Sequence, residues 1–423
     1  MTRAESMFAN TPKMDTAFRE YAEMQLRRHY ILTEGEKRSA EVDTHEDRMD
    51  ERWDRLDENQ QQSLKGMASD LNWARRNGEP APKGRKVADE VLVGERKQLL
   101  ASIKSNEWHS LLHYLRICAP MIPNVDAAYK RAVAYDAIGL PGYSCLFYEV
   151  AMKFDTTNAA IGVTALGYID TNDPPRAIRL AEEIIASPLS YAPVVIVMSV
   201  VLVLRRDETE KRPINRELSS ESLKDAVNRL KLEPPSDTVR AMTYQLAASG
   251  FEIVDDLPAA LDCYQEGLKL SPNNEILLVG KGLLLYGSKT DQAVEAFEQA
   301  ARRGTSLLWP YFFLAHHYVL NGKYQESFEV GKQAWRLAKT AATKSKLLEW
   351  RAICLTELGS PPNKVRMIFK DAIALDPSNA RIAKNLAAFD DALAEAANAS
   401  WSFEEASLLR AQNAASAFEM ELV

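Results

Sequence analysis

Glycine is scarce in this chain, with 18 among 423 residues, and a turn-rich all-β fold would need more than that. Cysteine is scarcer. Cys118, Cys145, Cys263 and Cys354 stand far apart and form no CxxC pair. That pattern excludes a disulfide framework or a structural zinc site and implies four reduced, buried thiols. Basic charge is not in excess either: 52 Lys and Arg face 59 Asp and Glu, for a formal charge of −7. A general nucleic-acid binder carries the opposite sign, so no nucleic-acid partner is expected. The opening MTRAESMFANTPKMDTAF has no apolar h-region, so a cytoplasmic rather than a secreted protein is expected. The most apolar run, Tyr191 to Leu204, falls short of the ~20 residues that cross a bilayer. With Pro193 suited to a first helical turn and Ser199 to close packing, it predicts a buried core helix and no transmembrane segment.

What the chain does have is self-similarity. DDLPAALDCYQEGLKLSPNN (255–274) and FKDAIALDPSN (369–379) both end an amphipathic helix in a Leu-x-Pro turn, and TDQAVEAFEQAARRG (290–304) and NGKYQESFEVGKQAWRLA (321–338) repeat the same helix. In these helices Ala260, Ala293, Ser327 and Val365 recur at spacings of 33, 34 and 38, and the preceding helices carry Ala248, Gly282, Ala315 and Ala352 at spacings of 34, 33 and 37. One turn further along the second helices stand Tyr264, Phe297, Gly331 and Phe369, and then Gly267, Ala300, Ala334 and Ala372. A small residue in the first helix lets the second approach, and a larger one a turn away fills the space between them. Neither helix can bury its apolar stripe alone, so the hairpins must stack on one another.

The period, the small-residue columns, the turn Gly322-Lys323-Tyr324 and the closing prolines Pro272 and Pro377 resemble the tetratricopeptide (TPR) repeat. Residues 308–341 match best, with Tyr311, Leu314, Ala315, Tyr318, Gly322, Tyr324, Ser327 and Ala334 at the family positions. The resemblance implies an all-α, right-handed α-solenoid of stacked antiparallel helix pairs. The expected units are 158–191, 192–240 with a polar loop inserted at 205–220, 241–274, 275–307, 308–344 and 345–378. A degenerate hairpin region at 87–157 precedes them, and capping helices at 379–423 follow. Residues 1–86 form a charged helical extension. Acids outnumber bases 11 to 5 between Glu34 and Glu58, which reads as a solvated face or an acidic docking surface, and NGEPAPKGRK (77–86) reads as a linker whose Lys83, Arg85 and Lys86 are too few for a nucleic-acid patch. The extension either packs back on the solenoid or hangs from it.

Catalytic chemistry is hard to find. His109 and His113 share a helical face but lack a third ligand; Ser144 sits near Gly139 and Gly142 without a nucleophile elbow; Gly280, Gly282 and Gly287 do not make a phosphate loop. No catalytic residue, metal site or cofactor is expected. In TPR arrays the first helices line a concave groove that receives a peptide or helix of another protein. The matching positions are Met242, Gln245, Ser249 and Glu252, then Ile276, Val279, Leu283 and Tyr286. Trp309, Phe312, His316 and Val319 follow, and then Lys346, Glu349, Ile353 and Thr356. Family members that clamp a C-terminal carboxylate use Lys, Arg and Asn there; these apolar residues do not fit that clamp.

Trp309, Phe312 and Tyr286 either pack against neighbouring helices or line an aromatic groove for an apolar partner segment, with His316 able to make binding pH-sensitive and Glu252, Lys346 and Glu349 as rim charges. An interaction scaffold or adaptor is the function expected. The alternatives are a self-assembling or membrane-peripheral structural component, or a subunit of an enzyme complex with its chemistry in the N-terminal region.

Overall fold

The computed structural model describes residues 14–33, 40–79, 89–105, 107–118, 121–232 and 235–398. These form twenty α-helices and one short 3₁₀ turn, with no strand among the described residues. The chain divides into two compact units, Met1–Asp256 and Leu257–Val423. Most of the linker at 77–86 and the segment 401–423 lie outside the described residues.

The first unit holds α1 (Thr16–Thr33), α2 (Ala40–Trp53), α3 (Glu58–Arg75), α4 (Asp89–Ser105), α5 (Trp108–Cys118) and α6 (Asn124–Ala137). It continues through α7 (Pro141–Phe154), α8 (Ala159–Asn172), α9 (Pro174–Ala186), α10 (Pro193–Thr209), α11 (Arg216–Leu232) and α12 (Asp237–Ile253). Local chemistry sets several of these starts. Asp57 caps α3, its carboxylate accepting from the Gln60 amide while the Gln60 side chain answers the Asp57 N–H, a reciprocal capping box. Prolines open α7, α9 and α10, where the missing N–H is no loss.

The small-residue column is the contact surface. Ala132, Ala165, Ser199 and Ala248 are fully buried on α6, α8, α10 and α12. Ser144 Oγ of α7 donates to the Ala132 carbonyl at 2.9 Å, sewing that hairpin together. The apolar run 191–204 lies in α10, which packs against α8, α9, α11 and α12, and no described helix is long and apolar enough to cross a membrane. The polar segment 205–220 is not a long loop. α10 runs on to Thr209 and α11 begins at Arg216, and Arg206 pairs with Glu182 of α9 at 2.7 Å, tying the charged end of α10 to its neighbour.

The N-terminal extension is packed back. α3 lies against α5 and α1 against α7, with Leu56, Leu64, Met67 and Leu71 buried as its thin apolar stripe requires.

The second unit holds α13 (Leu257–Leu270), α14 (Glu275–Leu285), α15 (Thr290–Arg302), α16 (Leu308–Leu320), α17 (Tyr324–Leu337), α18 (Ala341–Glu357), α19 (Pro362–Leu375) and α20 (Ala380–Asn398). Hairpins α14/α15, α16/α17 and α18/α19 stack in order, with α13 against α14 and α20 against α19. A Cβ placed at Gly282 would sit 2.4 Å from the Phe297 ring, so glycine is what allows α15 to close on α14. Ser327 Oγ donates to the Ala315 carbonyl at 2.8 Å, the same stitch at the same twelve-residue separation as Ser144 and Ala132 in the first unit. Gly322, at φ 70°, makes the turn into α17 that the sequence marked.

Candidate functional site

The first helices of the second unit form a row, α14 touching α16 and α16 touching α18. Their facing residues divide into a buried frame and an exposed crest. Val279, Phe312, His316, Val319, Glu349 and Thr356 are buried, while Tyr286, Lys346 and Ile353 are partly so. Tyr286 Oη and His316 Nδ1 lie 2.8 Å apart in a hydrogen bond across α14 and α16. Trp350, which the groove positions do not include, packs on Phe312 at 4.7 Å and on His316 at 5.0 Å between ring centroids. Phe313 closes on Tyr286 at 4.5 Å. These rings act as packing, one of the two roles expected of them.

The crest is Ile276 (49% exposed), Leu283 (39%) and Trp309 (44%), together with Leu320 (37%). Trp309 stands edge-on to Phe312, with centroids 5.7 Å apart, so a rigid aromatic base supports it. Leu320 lies four residues after His316 on the same helical stripe, a spacing that could have revealed it. Met242, Gln245, Ser249 and Glu252 lie on α12 of the first unit, with Met242 and Glu252 exposed and the other two half-buried.

Two expectations need correction. Glu349 is not a rim charge: it is 1% exposed and held by Arg381 Nη2 at 2.5 Å and Asn385 Nδ2 at 2.5 Å, both from α20. α20 therefore occupies that end of the row. His316 itself is buried, covered by Trp350 of the next first helix. His316 is also no sensor near neutrality. Burial, helped by the charges of Arg381, His317 and Lys346, pulls its pKa down to about 4.

The sign of the resulting pH effect follows. An unfolded histidine titrates near ~6.5. Between that value and about 4 the unfolded chain takes up a proton that the native site refuses, so stability is full above the upper value and falls as pH drops through this window. Replacing His316 and Tyr286 together by Phe is expected to lessen the slope of the Tm–pH curve here, leaving the part due to His29, which burial likewise pulls down to about 4. The parent slope persisting in the double variant would show that His316 does not cause it.

Burial pushes the Cys145 thiol up to about 12 and the Cys354 thiol up to about 11, away from the thiolate form that nucleophilic attack needs. His109 and His113 are lowered, chiefly by burial, and no group of three or more potential metal-ligating side chains occurs among the described residues.

Small residues buried at spacings of 33 or 34, widened to 49 and 37 at two places, and paired helices closed by the same Ser–Ala stitch describe one architecture. Each unit is a stack of TPR-like helical hairpins. No protein-family model matches the chain, and no curated protein matches it. Among solved structures it is similar to the C-terminal part of a TPR repeat-containing protein from Cytophaga hutchinsonii (14% identity, 69% of this chain and 98% of that one, TM-score 0.39). It is also similar to a tetratricopeptide repeat protein from Parabacteroides merdae (12% identity, 62% and 99%, TM-score 0.37). A third similar structure is the apo form of RapI (15% identity, 58% and 97%, TM-score 0.33).

Proposed function

We propose that this chain is a non-catalytic protein–protein interaction scaffold or adaptor that binds a peptide or amphipathic helix of a partner against the first-helix row of its second unit. The observation that carries the reading is the crest: four large apolar side chains exposed on α14 and α16, seated on a base of buried rings. A soluble surface gains nothing from holding a tryptophan out of its own core on an aromatic support, whereas an interface uses such a residue as an anchor. An apolar helix face laid on the row would cover Ile276, Leu283 and Trp309 while the partly buried Lys346 orients its polar side. Four buried free thiols suit a cytoplasmic setting.

The test uses the full-length chain as bait and then titrates each retained protein. Trp309→Ala is expected to weaken binding by about 2 kcal/mol or more, roughly thirtyfold, with little change in melting temperature because the indole is already 44% exposed. Equal affinity of parent and variant for every retained partner would remove this row as the binding face.

A further inference from the structure

The second-helix column carries an aromatic ring in three of the four hairpins that define it, Tyr264, Phe297 and Phe369, and Gly331 in the other. All three rings are buried. At Gly331 a Cβ would meet no atom within 4 Å. Glycine is the poorest helix former after proline, so its place in the middle of α17 opposes the local structure. What it leaves is a cavity of about 190 Å³ between α17 and α18, closed at its inner end by Ala315 of α16.

The walls of this cavity differ from its mouth. Leu347, Leu348, Trp350 and Cys354 make an apolar interior, and the Ser327 hydroxyl on its wall is already satisfied by the Ala315 carbonyl. An apolar inner wall of this size suits a small apolar ring better than it suits water. The mouth is cationic, with Lys332, Arg336 and Arg351. Lys332 is paired with Glu329, whereas neither Arg336 nor Arg351 has a carboxylate partner among the described residues. The exposed ring of Trp335 stands beside them. Apolar depth and a rim of arginine fit one kind of molecule: a single ring or short chain ending in a carboxylate, which guanidinium groups grip through paired hydrogen bonds.

We propose that the Gly331 cavity is a binding site for a free small aryl or alkyl carboxylate, separate from the partner-binding row and sharing only Trp350 with the ring frame behind it. The volume holds one ring and a short linker, so the ligand is a small molecule rather than a length of chain.

The probe is 3-phenylpropionate, with its uncharged amide as the comparison, titrated into full-length protein by calorimetry. The acid is expected to bind saturably with a Kd in the millimolar range or tighter, and the amide at least about tenfold more weakly. Gly331→Phe restores the ring of the other hairpins and is expected to abolish binding of the acid without lowering the melting temperature. Gly331→Leu provides a smaller plug if Phe overfills the space. Arg336→Gln combined with Arg351→Gln is expected to bring the acid down to the affinity of the amide. Undiminished acid binding in folded Gly331→Leu or Gly331→Phe protein, equal binding of acid and amide to the parent, or no saturable binding of the acid would each overturn the proposal.

Discussion

Asp70→Ala is expected to cost the first unit about 3–5 kcal/mol, the range for breaking a buried ion pair from one side. Asp70 is fully buried in α3, where it accepts from Arg116 Nε at 3.0 Å and Nη2 at 2.6 Å, from Arg131 Nε at 3.0 Å and from Tyr135 Oη at 2.7 Å. Burial alone would raise its pKa, but the two guanidinium groups and the hydrogen bonds outweigh burial and hold it below the ordinary carboxylate value. Arg131 is itself buried, its guanidinium 4.3 Å from the centre of the Trp73 ring. Without the carboxylate, that cation stays enclosed with no counter-charge.

The contribution of Asp70 is present at neutral pH and is lost as pH falls below the unfolded carboxylate's pKa and then through the depressed native one. Denaturant unfolding followed by tryptophan fluorescence measures the change. Asp70→Leu combined with Arg131→Met should recover only part of the loss: the fully buried cation is gone, but Arg116 and the Tyr135 hydroxyl still lose their acceptor. A parent midpoint for Asp70→Ala would show that the carboxylate does not hold the N-terminal helices to the α6/α7 hairpin.

This cluster shows where sequence reading stops. The partners of Asp70 are 46, 61 and 65 residues away, and nothing local marks a lone Asp in a helix rich in polar residues as the centre of a core. The hairpin register was legible because it repeats: Ala315, Gly282 and Ala352 are small for one reason, and the same contact recurs every turn of the stack. The crest was half legible. Helical spacing put Trp309, Phe312 and His316 on one stripe, but which of them stays exposed depends on Trp350, brought there by the next hairpin. Glu349 was misplaced for a similar reason, since the helix that covers it begins only at Ala380. Gly331 was visible as the odd member of an aromatic column, and the cavity is the spatial form of that exception.

The second large effect is expected at Glu349. Its carboxylate ties α18 to α20 through Arg381 and Asn385. Here burial wins and pushes its pKa up, although the Arg381 guanidinium, the Asn385 amide and the Lys346 charge pull it back. Glu349→Ala should therefore cost about 3–5 kcal/mol by leaving Arg381 half-enclosed and unpaired. Glu349→Gln, which resembles the protonated form and keeps hydrogen-bonding capacity, should cost nearer 1–2 kcal/mol, about the penalty for one weakened buried hydrogen bond.

A double-mutant cycle with Arg381→Ala separates pair from parts. If the two side chains act on each other, the double variant should cost scarcely more than either single one. Simple addition of the two losses would mean that this pair does not hold α20, which then rests on Ile382 and Phe389 in the Phe369 cluster and on the Arg366–Asp390 pair. The distinction bears on binding as well as stability. The Arg366–Asp390 pair holds α20 to α19, so losing the Glu349–Arg381 pair loosens the helix only where it covers the α18 end of the row. Glu349→Gln protein that still folds should thus bind a crest-dependent partner at least as tightly as the parent, because any loosening of α20 lengthens the apolar face available to it.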